Sequence, residues 1–250
     1  DMAAYPKTLS GKTVAAYVNT HTDLSDELYR EGKLVSDNYK NILRSQTNAA
    51  EIPADVTVRY GVTVRRANLR NLPTGEGLFF YASDRNFDAL QETALDPGEA
   101  VAILHTSTNG YFYYVQAYNY RGWLSKFDVA ETDRSTWLRY AEPKNFLTVV
   151  AKDYTLKADG AQVLFQQGAR LQLADKKASA YTVKVPVRTK EGKLQEEKVV
   201  LAANASLHEG YLPYTTNNII RSAFKFYDSV YGWGGLQQSV DCSSFISNAC

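Results

Sequence analysis

The sequence predicts an α+β multidomain protein with a helical N-terminal arm, two small β-barrels and the first part of a further α+β domain. Three changes in the spacing of apolar residues predict this order. The spacing is helical before residue 55, alternates along short segments between residues 56 and 203, and becomes helical again after residue 215. The predicted domains are therefore residues 1–55, 56–140, 141–210 and 211–250.

The first predicted domain is mostly helical. Its apolar residues recur at three- and four-residue spacing: Leu24, Leu28, Tyr29, Leu34, Val35, Tyr39, Ile42 and Leu43. Ile52-Pro53 then ends the helical pattern, because the residue before a proline is biased away from helix.

The next two domains read as short strands joined by tight turns. Apolar and polar residues alternate from Val56 to Val64, and a meander follows through residues 100–104, 111–118 and 120–124. A second group of strands is predicted at residues 145–151, 161–173, 180–188 and 198–203, with a hairpin at Glu191-Gly192. Pro186 should restrict its strand to an edge or a bulge, because proline donates no ladder hydrogen bond.

Composition excludes several classes of function. The chain has 28 Lys+Arg against 27 Asp+Glu, scattered along its length, so no nucleic-acid partner is expected. No apolar run approaches the length of a membrane span, and no signal peptide is recognised at the start. Cysteine, histidine and acidic residues show no ligand spacing, so neither a metal nor a cofactor is predicted.

Both cysteines, Cys242 and Cys250, lie near the end of the chain. On one helix they would be about 12 Å apart, too far for a disulfide, so both are expected to be free thiols. Asp241 is the predicted N-cap of that helix, which places Cys242 at its positive end, where a thiolate is stabilised. The preceding helix, capped by Thr215 or Thr216, leads into a glycine-rich loop. Its glycines supply backbone without side-chain bulk, as a substrate-binding edge would require.

Two short motifs resemble the NlpC-type papain-like cysteine peptidases of bacteria. They are Tyr231-Gly232-Trp233-Gly234-Gly235 and Asp241-Cys242-Ser243-Ser244-Phe245, separated by five residues. Upstream, residues 68–74, 101–105 and 120–124 are similar to the bacterial Src-homology-3-type barrel that precedes some of these peptidases. The resemblance implies Src-homology-3-type barrels followed by an incomplete papain-like domain, in the subgroup of γ-D-glutamyl-diamino acid endopeptidases.

The resemblance also implies roles for individual residues. Cys242 would be the nucleophile, Tyr231 would lie beside the oxyanion site formed with the Cys242 amide, and Trp233 would wall the cleft. Asp241 and Ser243 would line the substrate side.

The implied substrate is a peptidoglycan stem peptide, L-Ala-γ-D-Glu-diamino acid, with a free N-terminal L-alanine. Its ammonium and methyl group require an acid and a ring, for which Glu92 and Tyr120 are the candidates. A solvated loop acid and a barrel-wall tyrosine remain equally good interpretations of these two residues.

A thiol also needs a base, and the family uses a histidine downstream of the cysteine. The sequence given continues only eight residues past Cys242, so we expect the chain to lack this histidine and its orienting residue and to be inactive alone. The remaining C-terminal part of the peptidase domain is therefore an expected partner. The upstream His21, His105 and His208 are expected to be surface or capping residues.

Two alternatives stay open. Paired barrels could make the protein a non-catalytic binder of the cell wall, with Tyr111-Phe112-Tyr113-Tyr114 as a platform, although core and surface positions alternating on one strand would give the same pattern. Amidase or acyl-transfer chemistry could also use the same thiol, since a fold does not fix the substrate. The expected location is the cell envelope, periplasmic or secreted, with cytoplasmic recycling of wall peptides as the alternative.

Overall fold

The structure is a computed structural model that describes residues 2, 4–20 and 24–249. His21 and Cys250, which the sequence analysis considered, lie outside the described residues. The N-terminal region contains, in order, β1 (Thr8–Ser10), α1 (Gly11–Thr20), β2 (Tyr29–Arg30), β3 (Lys33–Leu34), α2 (Asp37–Gln46), a 3-10 helix (Ala49–Glu51) and β4 (Asp55–Thr57). Strands β1 and β4 pair antiparallel.

The helix predicted across residues 24–43 was wrong for its first half. Helix α2 begins only at Asp37, where the Ser36 hydroxyl accepts a hydrogen bond from the Tyr39 amide. The residues before it form the β2–β3 hairpin, whose turn residues Glu31 and Gly32 both have positive φ. Leu24, Leu28 and Val35 are buried by packing rather than by a helix face, and Leu34 is exposed, so the spacing misled the prediction.

The N-terminal region packs on the rest of the protein and is not a separate arm. On one side, α1 contributes Val14 and Val18 to a core that also holds Tyr114 and Trp123. On the other side, a second cluster joins this region to the connection formed by residues 71–90: Leu24, Leu28, Val35, Leu43, Leu72, Leu78 and Leu90. The 71–90 connection is thus packed against the N-terminal region.

The next elements form what we call the first β unit. It contains β5 (Arg59–Thr63), β6 (Ala67–Arg70), β7 (Gln91–Leu95), β8 (Ala100–Thr106), β9 (Phe112–Gln116), β10 (Arg121–Ser125), a 3-10 helix (Lys126–Asp128), β11 (Val129–Thr132) and α3 (Arg134–Ala141). Its sheet runs in the order β11-β5-β8-β9-β10-β6-β7, with antiparallel neighbours. The predicted meander is confirmed as β8, β9 and β10.

Strand β8 is buried on both faces, which makes it the centre of this unit. Val101 and Ile103 face one core. The alternate residues of the strand, Ala100, Ala102 and Leu104, face the core that α3 covers. The Asp133 carboxylate caps α3 by accepting from the Thr136 amide at 2.9 Å. Trp137 of α3 is fully buried and donates from Nε1 to the Val101 carbonyl, so burying the ring leaves no donor unpaired.

The second β unit follows. It contains β12 (Phe146–Val149), β13 (Asp153–Ala158), β14 (Ala161–Gln166), β15 (Arg170–Lys177), β16 (Ala180–Arg188), β17 (Leu194–Ala202) and β18 (Leu207–Glu209). Its larger sheet runs β17-β16-β15-β12-β18, and β13 pairs with β14. Pro186 pairs with β17 only, because the ladder between β15 and β16 ends at Lys184. The predicted edge position of this proline is therefore confirmed locally. The predicted domain boundaries stay predictions.

The last elements are α4 (Thr216–Phe224), an irregular 3-10 segment (Trp233–Gln238) and α5 (Cys242–Ala249). Thr215 caps α4, as predicted, by accepting from the Asn218 amide. Both helices are tied to the second β unit: Lys225 donates to the Val150 carbonyl, and Gln167 donates to the Asn248 carbonyl at 2.8 Å. These bonds hold α4 and the end of α5 against the second β unit.

Candidate functional site

The backbone on either side of the glycine-rich loop brings Tyr231 to Cys242. Tyr231 forms an isolated parallel bridge with Val240, and the Gly232 amide donates to the Val240 carbonyl at 3.0 Å. The loop therefore closes two residues before Cys242. As a result the Tyr231 hydroxyl lies 3.9 Å from the exposed Cys242 Sγ, to which it donates a hydrogen bond.

Asp241 caps the helix that carries the thiol. Its Oδ1 accepts from the Ser244 amide at 2.8 Å and from the hydroxyls of Ser244 and Ser243 at 2.7 and 3.0 Å. Its Oδ2 accepts from the Gly234 amide at 3.1 Å. The first turn of α5 is thus satisfied by one carboxylate, which also ties the helix to the preceding loop.

The charges around the thiol follow from these bonds. Partial burial alone would raise the pKa of Asp241, but the hydrogen bonds from Ser244, Ser243 and Gly234 hold that pKa below its usual value. Asp241 is therefore a carboxylate at neutral pH. The hydrogen bond with Cys242 raises the pKa of the Tyr231 phenol, so Tyr231 stays protonated and able to donate.

The glycines of the loop serve to dock it on the first β unit. Gly234 and Gly235 have φ of +53° and +76°, and a Cβ on Gly234 would lie 2.6 Å from Cγ of Gln91. The Gly234 carbonyl accepts from Gln91 Nε2 at 2.9 Å, and the Gly235 carbonyl accepts from Arg66 at 3.1 Å. The sequence suggested that these glycines open a substrate-binding edge, whereas the structure uses them for contact with β7.

Aromatic rings beside the thiol come from two parts of the chain. The ring centroid of Phe87, in the 71–90 connection, lies 5.9 Å from that of Tyr231 and 5.5 Å from that of Trp233. Trp233 also donates from Nε1 to the Asp88 carbonyl at 3.1 Å. Both loop rings remain partly exposed, and the role predicted for Trp233, walling the cleft, stays a prediction.

A cleft of about 490 Å³ lies between the two β units and α5. Its lining includes Tyr120 and Glu99 from the first unit, Arg170 from the second, and Asp241 and Ser243 beside the thiol. Cys242 is not itself a lining residue, but it lies between two that are. The polar groups that line this cleft therefore come from three parts of the fold.

The predicted site residues fall into two groups and one exception. Cys242, Tyr231 and Trp233 lie together on the loop side, and Tyr120, Asp241 and Ser243 lie together in the cleft. Glu92 is placed at the bulge of β7 and is not a lining residue; its backbone carbonyl faces Gly234. Its predicted role as the ammonium-binding acid stays a prediction.

Two of the three histidines are described, and both are engaged elsewhere. The His105 ring bonds to the Asn48 carbonyl at 3.0 Å, and desolvation by burial lowers its pKa. The His208 ring bonds to the Gly210 carbonyl at 3.3 Å. Neither ring has a hydrogen bond with Cys242 among the described residues.

Several site residues were not identified from the sequence. Phe87, Gln91, Glu99 and Arg170 come from connections and strands far from the cysteine motif, and no spacing links them to it. Within residues 2, 4–20 and 24–249, no group of three or more His, Cys, Asp or Glu is placed to hold a metal ion. In the same part of the chain, no helix combines the length and apolar character that crossing a bilayer requires.

Comparison with known proteins places this geometry in context. Residues 78–125 match the family model of the SH3 domain of SH3b1 type. No curated protein matches the sequence of the chain. The match covers β7 to β10 and most of the 71–90 connection, which is the part of the first β unit that contacts the loop.

Two solved structures are similar over larger parts of the chain. One is a novel NlpC/P60 endopeptidase from Photobacterium damselae subsp. piscicida, with a TM-score of 0.72 and 22% identity over 96% of this chain and 53% of that one. The other is an NlpC/P60 family protein from Bacillus cereus, with a TM-score of 0.50 and 15% identity over 64% of this chain and 54% of that one. The chain thus spans about half the length of each, and over its own length it has an SH3b-type domain and the fold of NlpC/P60 proteins.

Proposed function

We propose that the protein is a thiol hydrolase of peptidoglycan stem peptides, with Cys242 as the nucleophile. The observation that carries this proposal is the exposed Cys242 Sγ at the start of α5, 3.9 Å from the Tyr231 hydroxyl and next to a cleft. The SH3b-type domain and the fold of NlpC/P60 proteins support a cell-wall substrate. The same support makes the cell envelope the proposed location.

The proposed chemistry is acyl transfer through a thioester. The Cys242 thiolate attacks the scissile carbonyl carbon, and the negative charge that develops on the carbonyl oxygen is stabilised by the Cys242 amide and the Tyr231 hydroxyl. Protonation of the leaving nitrogen allows the C–N bond to break and the amine to depart. Water then attacks the thioester, which releases the acid and restores the thiol.

Among the described residues, no histidine is hydrogen-bonded to the Cys242 thiol. His105 and His208 are bonded to carbonyls away from Cys242. We therefore propose that a histidine outside the given 250 residues supplies the base, in a further part of the same catalytic domain. The apolar side chains exposed on α4, on the turn that follows it and on α5 support a partner of this kind: Ile220, Phe224, Tyr227 and Ile246.

The proposed bond is the one between γ-D-glutamate and the diamino acid, in peptides that begin with a free L-alanine. The cleft supports this choice because it offers a ring, Tyr120, and an acid, Glu99, beside the residues that flank Cys242. Burial raises the pKa of Glu99, and Arg170 lies 3.9 Å away, so the acid is only loosely paired. An ammonium group in the cleft would complete the pairing of this carboxylate.

The test is cleavage of L-Ala-γ-D-Glu-diamino acid by the full-length protein, followed by mass spectrometry of the products. Cys242→Ala should abolish cleavage of the γ-D-glutamyl bond, and Cys250→Ala should retain it, which controls for general effects of removing a thiol. Turnover in Cys242→Ala would remove the proposed nucleophile. Cleavage at a different bond would keep the nucleophile and reject the proposed specificity.

Binding to the cell wall without catalysis is the second candidate, favoured by the SH3b-type domain. The aromatic stretch considered as its platform is mostly engaged in packing: Tyr114 is fully buried, and Phe112 and Tyr113 pack against opposite cores. Cosedimentation with purified peptidoglycan measures this function separately. Equal binding by the parent and Cys242→Ala, with no cleavage by either, would favour the binder.

A further inference from the structure

Besides the bond from Arg66 to the Gly235 carbonyl, the loop that carries Tyr231 contacts the first β unit along a short stretch, which we call the 86–91 segment. Gln237 of the loop donates to the Asn86 side chain at 2.9 Å, Trp233 donates to the Asp88 carbonyl at 3.1 Å, and Gln91 donates to the Gly234 carbonyl at 2.9 Å. These bonds hold the loop on the first β unit, and the Phe87 ring lies against the rings of Tyr231 and Trp233.

The 86–91 segment is itself held in place by buried polar contacts of Asp88. The Asp88 carboxylate accepts from the amides of Leu78 and Leu90 at 3.1 and 3.0 Å and forms an ion pair with Arg70 at 2.8 Å. Both side chains of this pair are 6% exposed, so the pair is shielded from solvent screening. Arg70 continues the network, since its guanidinium also donates to the Gln91 side chain at 3.3 Å.

The loop, in contrast, adopts a conformation that it would not hold alone. Gln237 and Gln238 have φ of 58° and 51°, in the left-handed region that side chains other than glycine adopt at a cost. Gly234 and Gly235 are left-handed as well. Consecutive residues of this kind persist only where surrounding contacts over-determine them, and the 86–91 segment supplies such contacts.

We propose that Phe87 of the first β unit is a positioning residue for Tyr231, which keeps the phenol within hydrogen-bond reach of the Cys242 sulfur. This inference rests on the proposed function only in treating Cys242 as the reacting group. The Phe87 ring lies against both Tyr231 and Trp233, while the backbone of the loop is held by Gln91. Removing the ring leaves Tyr231 free to rotate away from the sulfur, whereas the loop backbone remains bonded.

The experiment follows alkylation of Cys242 by iodoacetamide in the full-length protein, with the adduct on the Cys242 peptide quantified by mass spectrometry across the neutral and alkaline pH range. Tyr231→Phe removes the donor to the sulfur, so alkylation near neutral pH should slow by about fivefold and the midpoint of the pH–rate curve should rise. Phe87→Ala should move the curve in the same direction.

Phe80→Ala is the matched control. Phe80 lies in the same connection and is 45% exposed against 44% for Phe87, but it has no ring contact with Tyr231 or Trp233 among the described residues. Its curve should follow that of the parent. The fluorescence emission of Trp233 provides a second measurement, because the other two tryptophans, Trp123 and Trp137, are fully buried. Of the two phenylalanine variants, only Phe87→Ala should shift this emission.

A Phe87→Ala curve that follows the parent while Tyr231→Phe departs from it would overturn the inference. A Tyr231→Phe curve that follows the parent would overturn it as well, because the phenol would then have no effect on the sulfur. Either result leaves the proposed function intact if Cys242→Ala still abolishes peptide cleavage. Peptide cleavage therefore tests the proposed function, and the pH–rate curve of alkylation tests the positioning of Tyr231 by Phe87.

Discussion

Gln91 and Gly234 are 143 positions apart in the sequence, yet the side-chain amide of Gln91 donates to the Gly234 carbonyl at 2.9 Å. The amide of the same glycine donates to Asp241, which caps the helix beginning at Cys242. One residue of the loop thus links the first β unit to the start of the thiol helix. A substitution at this glycine should therefore affect both the fold and the site.

Gly234→Ala should lower the free energy of unfolding by about 2 kcal/mol or more, because a left-handed residue other than glycine costs about 1–2 kcal/mol before any clash is added. The added Cβ would lie 2.6 Å from Gln91 Cγ. Gly110→Ala is the control, since Gly110 has φ of +69° with open space around it. Urea unfolding measures both variants, and equal losses would mean that the close contact with Gln91 contributes nothing.

Arg70→Met should destabilise the protein by about 3 kcal/mol, because it leaves the buried Asp88 carboxylate without its charged partner. Lys176→Met is the control: Lys176 and Glu209 form an ion pair at 2.6 Å, but both side chains are solvent-exposed. Thermal unfolding should show a large shift for the first variant and almost none for the second. Similar shifts would indicate that burial of the Arg70–Asp88 pair has no energetic consequence.

Asp241→Asn should make the protein less stable at neutral pH and equally stable in acid. The folded-state pKa of Asp241 is depressed, so its carboxylate contributes stability that is present above the unfolded-state pKa, near 3.9. That contribution is lost as the pH falls through the folded-state pKa. Urea unfolding at a series of pH values measures the difference in free energy of unfolding between the parent and the variant. A difference that does not change with pH would contradict a stabilising role for the charged form of the Asp241 cap.

Glu99→Gln should reduce the preference for peptides with a free N-terminus over acetylated ones, because Glu99 lines the cleft. Glu92→Gln is the matched comparison, since its backbone carbonyl faces the loop at the bulge of β7. The measured quantity is the ratio of kcat/KM for free and acetylated L-Ala-γ-D-Glu-diamino acid. A reduced ratio for Glu92→Gln alone would return the ammonium-binding role to Glu92.

Elements with local signals were predicted well from the sequence. The Thr215 and Asp241 caps and the β8–β10 meander depend on residues a few positions apart, so their patterns are visible in the sequence. Tyr231 was placed near Cys242 only through the resemblance to NlpC-type peptidases, and the hydrogen bond between the two side chains was not predicted.

Features that depend on distant contacts were not predicted. Residues 24–36 bury apolar side chains without a helix, and burial alone reproduces a helical spacing. Phe87, Gln91 and Glu99 reach the site through the 71–90 connection and β7, and no local pattern marks them. Likewise, the glycines indicated an open edge because their partner, β7, lies far away in the sequence.

The bonds of Gln91, Gln167 and Lys225 hold the thiol segment from both β units. Recombining related chains at a junction near residue 210 would therefore separate donors from acceptors, even where each exchanged piece folds. A chimera that keeps the loop in place would have to carry a matching side chain at position 91 together with the glycine it contacts.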